Sequence, residues 1–374
     1  MTGMSASMSV SLEEWAHMLP KVDLHVHLEG CVRPQTFLEL RWGGSRGQQR
    51  ERAGPQSLES VSSKMQVDGT ERSLADYLRK IEFVYQVTQT PEALRRIAFE
   101  AVAGAAGENV AYIELRGGPL LHTRRGLTAA DVIAAILDGM HEAFEVFKVS
   151  GGFIVAALRD HPPEDNVQLA RIAVKFKDRG VVGFDLAGNE DGYPCSDHAR
   201  AFAIAREGGL GITVHAGEAA GADSIRDAVL VLGAQRIGHG IRLAEDRHVL
   251  ELVRENAIPL EMCPTSNVHT QAVRSLAEHP LKSYLECGVR VTINDDDPQT
   301  SRTNMTREVA LAMKELGLSP NDVVECMRTA TDHAFASEAE KARLRTLLAG
   351  FHSPGNMSGD NMSGSGGFSD GTRT

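Results

Sequence analysis

The run Lys21-Val22-Asp23-Leu24-His25-Val26-His27-Leu28-Glu29-Gly30 reads as a short buried strand that ends in two histidines one residue apart. Side chains alternate between the two faces of a strand, so His25 and His27 point the same way. Two imidazoles close together on one face suit a divalent metal. The plain alternative is a His-rich strand end whose rings are satisfied by hydrogen bonds. Further ligands brought to the same place by other strands would separate the two readings.

Around this strand the chain falls into a repeating order. A helix over 11–19 is opened by Ser11 as cap, with Glu13 and Glu14 behind it. A second helix over 34–41 starts at Pro34. From 43 to about 72, Gly, Ser, Gln, Arg and Glu dominate and apolar residues are isolated, which predicts a solvated, mobile loop. Helical periodicity resumes with Leu74, Leu78, Ile81 and Tyr85. It recurs with Leu94, Ile97, Ala98, Ala101 and Val102, behind Thr90 as cap and Pro91 at the first position. Short β-branched runs follow at 110–116, 153–157, 181–186, 212–215, 236–239, 258–262 and 289–294. Helical patterns separate them at 129–147, 165–177, 196–207, 224–232, 246–256 and 281–287. With the first strand this makes eight, and intervening helices are what a parallel sheet requires. The predicted fold is an α/β TIM-type (β/α)8 barrel with an enlarged helical first connection and extra C-terminal helices over 306–316, 319–335 and 337–349. Residues 1–352 read as one barrel domain and 353–374, rich in Gly, Ser and Met, as a disordered tail.

Composition narrows the function. The chain has 374 residues, 42% of them hydrophobic and 24% charged, enough for one large core. A net charge of −11 without a basic patch argues against nucleic-acid binding. No apolar run approaches the roughly 20 residues of a membrane span, and residues 1–10 lack the basic and apolar regions of a secretory signal. Cys31, Cys195, Cys263, Cys287 and Cys326 are scattered, odd in number and without C-x-x-C spacing, so they read as reduced thiols of a cytoplasmic protein. A small-molecule partner is expected; no feature specifies an oligomeric state.

Barrel chemistry sits at the C-terminal ends of the strands. Strand one ends in His25 and His27, strand five in His215-Ala216-Gly217-Glu218, strand six in Gly238-His239-Gly240, and strand eight in Asn294-Asp295-Asp296-Asp297-Pro298. Three histidines and a carboxylate make an N/O set for zinc with a position left for water. Two decoys fail. His27-Leu28-Glu29 has the H-x-E form of cytidine-type zinc deaminases, but Pro194-Cys195 continues as Ser196-Asp197-His198 rather than P-C-x-x-C. The Gly-rich 183–192 stretch lacks the G-K-[ST] of a phosphate loop.

At this point the chain resembles the adenosine deaminase branch of the metal-dependent amidohydrolases. The motifs are His-Val-His-Leu-Glu-Gly at 25–30, Asp-Leu-Ala-Gly at 185–188, His-Ala-Gly-Glu at 215–218, Ile-Gly-His-Gly at 237–240, Cys-Pro-Thr-Ser-Asn at 263–267 and Asp-Asp-Pro at 296–298. The resemblance covers Lys21 to about Leu348 and implies residue roles. His25, His27, His215 and Asp296 would hold one zinc ion; His239 would orient the water and take its proton; Glu218 would deliver a proton to the purine N1. His27, Glu29, Asp297 and the Gly188 N–H would bind the substrate. The implied reaction is hydrolytic deamination of a 6-aminopurine nucleoside, adenosine or 2′-deoxyadenosine, to the 6-oxo product plus ammonia. Two departures stand out. Asp295 occupies a position where the family usually has Thr, and strand parity turns it away from Asp296, towards an expected solvated face. Glu29 replaces the Asp usual in adenosine-specific members, which keeps adenine and aminodeoxyfutalosine open as substrates. Hydrolysis of an amide, lactone or phosphotriester would not need Glu218 and Asp297 together, and a non-catalytic barrel would tolerate a broken ligand set.

Overall fold

The structure, a computed structural model, describes residues 10–42 and 57–351. Eight strands run β1 Lys21–His27, β2 Val110–Gly117, β3 Ser150–Leu158, β4 Val181–Ala187, β5 Gly211–Ala216, β6 Arg236–His239, β7 Leu260–Met262 and β8 Val291–Ile293. They lie side by side in chain order, each parallel to the next, with helices in the connections. The ring closes where β8 leaves the sheet. Val26 forms a parallel bridge with Asp296. The Asp296 N–H donates to the His25 carbonyl at 3.0 Å, and the His27 N–H donates to the Asp296 carbonyl at 2.7 Å. The seam of this (β/α)8 barrel is thus stitched at the two histidines that open the sequence reading.

The strands are apolar because they are buried on both faces. Outward-facing side chains meet the helical ring. In the helix Pro91–Gly107, capped by Thr90, it is Leu94, Ile97, Ala98, Ala101 and Val102 that are buried. The helix Ala129–Phe147 starts from a capping box of Thr128 and Asp131. The barrel interior departs from the usual stacked layers of branched apolar residues. Glu114, Arg116, Asp185, Arg236 and Glu261 are all fully buried there. At the floor, the Arg236 guanidinium lies 3.7 Å from the centre of the Phe335 ring. Gly211 makes room for that ring, since a Cβ at Gly211 would fall 2.3 Å from it.

Three sequence expectations need correction. The run 43–72 is not one solvated loop. Ser57 caps a helix Leu58–Met65 that buries Val61 and Met65, and the Val67 N–H donates to the Thr300 carbonyl at 3.0 Å. Two apolar residues four apart suffice because the neighbouring helices supply the rest of the interface. Strand seven begins at Leu260, two residues later than expected, because Pro259 has no N–H for the ladder. Strand eight is likewise shorter than its apolar run. Residues 43–56 and the 353–374 tail lie outside the described residues. Among the described residues, no helix is long and apolar enough to cross a membrane.

The floor packing is testable. Gly211→Ala should cost about 1–3 kcal/mol by overpacking against Phe335, read as a lower Tm in thermal unfolding. An unchanged Tm would show that the ring has room to move.

Candidate active site

Four polar groups converge on the C-terminal rim. His25 and His27 come from β1, His215 from β5, and Asp296 from the segment just beyond β8. His27 Nε2 lies 3.3 Å from His25 Nε2 and 3.2 Å from His215 Nε2. Asp296 Oδ1 lies 3.3 Å from His25 Nε2 and 3.4 Å from His27 Nε2. These spacings decide what the cluster fits. Ligand atoms bound at about 2.0–2.1 Å around a tetrahedral zinc stand about 3.3 Å apart. Burial pushes the His27 ring down to about 3, so it stays a neutral lone-pair donor. Cys263 is also near, in a grouping with His239 and Asp296, but burial drives its thiol well above the usual range, away from the thiolate a metal needs.

The histidine lone pairs are aimed by groups beneath them. His25 Nδ1 faces Glu261 Oε2 at 2.9 Å, and His215 Nδ1 faces Asp185 Oδ2 at 3.0 Å. Each carboxylate accepts the Nδ1 proton, which leaves Nε2 bare towards the cluster. Arg116 spans both carboxylates, donating to Asp185 at 3.1 Å and to Glu261 at 2.8 Å. Arg236 donates from Nε to Glu261 at 2.5 Å and pairs with Glu114 at 2.6 Å. Burial alone would raise the Glu261 carboxyl, but Arg116 and Arg236 beside it hold it well below its ordinary value. Glu261 and Arg116 were not found from sequence. The available signal was a lone acid inside the apolar run of β7.

His239 closes β6 in a left-handed conformation, φ 64°, and Asp296 shares it at φ 58°. Such backbone is costly for non-glycine residues and clusters at functional sites. The Cys263 N–H donates to Asn267 Oδ1 at 3.3 Å, so the Asn267 amide nitrogen is the atom 3.0 Å from His239 Nδ1. His239 Nδ1 therefore accepts, and the ring proton sits on Nε2. That Nε2 lies 3.7 Å from Glu218 Oε2. Burial, followed by the Asp296 charge, pushes the Glu218 carboxyl up to about 8.

A cavity of about 370 Å³ opens above these groups. Leu78, Ile81 and Leu121 give it apolar walls, while Glu29, Gly188, Glu218 and Asp297 supply polar edges. Asp297 takes a hydrogen bond from the Tyr77 hydroxyl at 3.0 Å on Oδ2. Its Oδ1 is buried without a hydrogen-bond partner among the described residues. Glu29 Oε1 accepts from the Gly118 N–H at 3.0 Å and His122 Nε2 at 2.9 Å. His122, steadied by the Thr88 hydroxyl at 2.8 Å, also escaped the sequence reading. Asp295 faces away from the cluster as parity predicts, but it is 8% exposed rather than solvated. It lines a separate cavity with Asp23, under Pro298 and Met305. Burial and the Asp23 charge push its carboxyl well above the ordinary range.

The purified protein should carry about one metal ion per chain. Glu261→Gln should weaken metal affinity by about 10–100-fold, measured by chelator competition. Equal affinity in the variant would remove Glu261 as the group that aims His25.

The family model described as Adenosine deaminase matches residues 20–350. An adenosine deaminase of Shewanella woodyi is 38% identical over 329 residues, covering 88% of this chain and 98% of that protein. An adenine deaminase structure from Arthrobacter aurescens superposes with a TM-score of 0.80 at 28% identity, covering 88% of this chain and 98% of the other. An amidohydrolase structure from Burkholderia ambifaria with bound zinc gives a TM-score of 0.80 at 25% identity, covering 92% and 94%. The chain belongs to the adenosine deaminase family, hydrolases that act on C–N bonds of cyclic amidines.

Proposed function

We propose that this protein is a zinc-dependent deaminase of a 6-aminopurine nucleoside, with adenosine and 2′-deoxyadenosine as its substrates. The observation that carries the reading is a buried Glu218, its carboxyl raised by burial, beside a cluster of His25, His27, His215 and Asp296 and under a cavity of about 370 Å³. Zinc held by that cluster supplies the Lewis acidity that lets water ionise near pH 7.

The chain's own groups do the rest. Glu218 donates its proton to the purine N1, which makes C6 electrophilic. His239 orients the attacking oxygen by donating from Nε2. The sequence reading also made His239 the acceptor of the water proton; with Nδ1 engaged by Asn267, this tautomer has no lone pair at Nε2 for that role. The first proton of the water passes to solvent, oxygen adds at C6, its remaining proton moves to the amino nitrogen through the Glu218 carboxylate, and ammonia leaves as the 6-oxo group forms; Glu218 regains its proton from solvent. Asp297, which burial and the Asp296 charge keep protonated, is the group to donate to the purine N7, and the backbone at Gly188 borders the same cavity.

Glu29 favours a second reading, adenine or aminodeoxyfutalosine as substrate, because the family's adenosine-specific members carry the shorter Asp. Here Oε1 is already engaged by Gly118 and His122, which leaves Oε2 to meet what the substrate carries at N9. Loss of a buried hydrogen bond there should cost about 1–3 kcal/mol.

Ammonia release from adenosine and adenine, compared as kcat/KM in wild type and Glu29→Gln, decides between the two. With a nucleoside substrate the variant loses adenosine turnover far more than adenine turnover. An adenine preference in wild type that vanishes in the variant would overturn the nucleoside reading. Because the working form of Glu218 is protonated and burial raises its carboxyl, activity should fall on the alkaline side as that carboxyl ionises. Glu218→Gln should keep the metal and lose about 10²–10⁴-fold in kcat. Normal turnover in that variant would refute the proton-donor role.

A further inference from the structure

The segment that carries Glu218 has almost nothing of its own to hold it. It reads Gly217-Glu218-Ala219-Ala220-Gly221, four of its five residues glycine or alanine. Side-chain packing cannot set the backbone of such a run. A carboxylate from another strand end does so instead. Glu190, three residues past β4 and 4% exposed, reaches across to it. Its Oε1 accepts from the Gly217 N–H at 2.8 Å and the Ser224 hydroxyl at 2.5 Å. Its Oε2 accepts from the N–H groups of Glu218 at 3.0 Å, Ala219 at 2.8 Å and Ala220 at 2.8 Å. Successive amides that converge this way form an anion-binding nest; here the chain fills the nest with its own side chain.

Two arginines complete the clamp. Arg159, just past β3, donates to the His215 carbonyl and lies 4.0 Å from Glu190 Oε1. Arg242 donates to the Glu218 carbonyl at 3.3 Å. The Glu218 peptide is therefore gripped at both its N–H and its C=O, while its carboxyl is left to the cavity.

We infer that Glu190 is a positioning residue for the reaction: by binding four consecutive amides it sets the Glu218 carboxyl at its working distance from His239 and the substrate. This rests on the reading of Glu218 as proton donor. The negative charge of Glu190 adds a second effect, since it opposes ionisation of Glu218. A carboxylate suits both jobs. The near-isosteric amide suits neither, because it is neutral and must turn an N–H₂ towards an N–H donor.

The test is Glu190→Gln assayed on adenosine by ammonia release, with metal content and Tm measured alongside. We expect full metal content, KM within about threefold, and kcat lower by about 10–100-fold, the scale of a misplaced catalytic group. The alkaline limb of the rate profile should also move to lower pH, which a merely structural residue would not cause. Glu190→Asp, which keeps the charge but shortens the reach, should lose kcat while its alkaline limb stays at the wild-type pH. It serves as the working variant if the Gln protein does not fold. An unchanged kcat, or a loss fully explained by unfolded protein with an unmoved pH profile, would overturn the inference. Glu218→Gln in the same assay separates the two claims. If that variant turns over normally, the proton-donor reading falls; if it is inactive while Glu190→Gln is normal, only the role of Glu190 falls.

Discussion

The guanidinium of Arg116 is the contact on which the site depends. It sits fully buried in the barrel, between Asp185 and Glu261, and those two carboxylates aim His215 and His25. A planar fork with several donors can hold two carboxylates at once in fixed directions, which a lysine cannot. Burying ions is expensive, and well-packed apolar residues of similar volume often serve stability as well or better. An interior that instead stacks Arg116, Arg236, Glu114, Asp185 and Glu261 is therefore explained by what stands on it. Each charge compensates another, and the last link in two of the chains is an imidazole nitrogen.

The same economy of position appears at the seam of the barrel. Asp296 bridges to β1 through its backbone while its side chain joins the ligand cluster. Its left-handed backbone and that of His239 are tolerated because the strands on either side leave no alternative. Barrel closure and ligand geometry are one constraint here. Any change that loosens the pairing of Val26 with Asp296 moves two histidines and a carboxylate together.

What the amino-acid sequence shows of this is uneven, for physical reasons. Eight apolar runs separated by helices reveal the barrel, because parallel strands are buried on both faces and have no polar alternation to hide them. Polar residues at the ends of those runs reveal the rim. The layer beneath is harder to see. Glu261 is a single acid in a three-residue strand, and Glu190 acts on backbone amides 27 to 30 residues away, which leave no side-chain pattern. Asp295 shows the limit of parity. Alternation gives the face a side chain points to, yet whether that face is wet depends on what covers it, here the helix Pro91–Gly107 and the segment from Pro298 to Met305, both remote from the strand's own pattern.

Three of the carboxyl groups in the cavity, Asp296, Glu218 and Asp297, are tuned differently. Burial would raise Asp296, but its hydrogen bond with His25 holds it well below the ordinary range, as a metal ligand requires. Burial, followed by the charge of Asp296, lifts Glu218 to about 8, which favours the protonated form. Burial and the same Asp296 charge raise Asp297 as well. Neighbours thus sort like groups into opposite roles, the usual way one site runs acid and base chemistry near pH 7. A bound dication changes the balance, because it offsets the very charge that raises Glu218. With a metal bound, a proton on Glu218 would rest on burial first, and on a carboxylate the metal does not neutralise. Glu190 is that carboxylate: it lies behind the loop, it is bonded to the Glu218 amide, and it is absent from the ligand cluster.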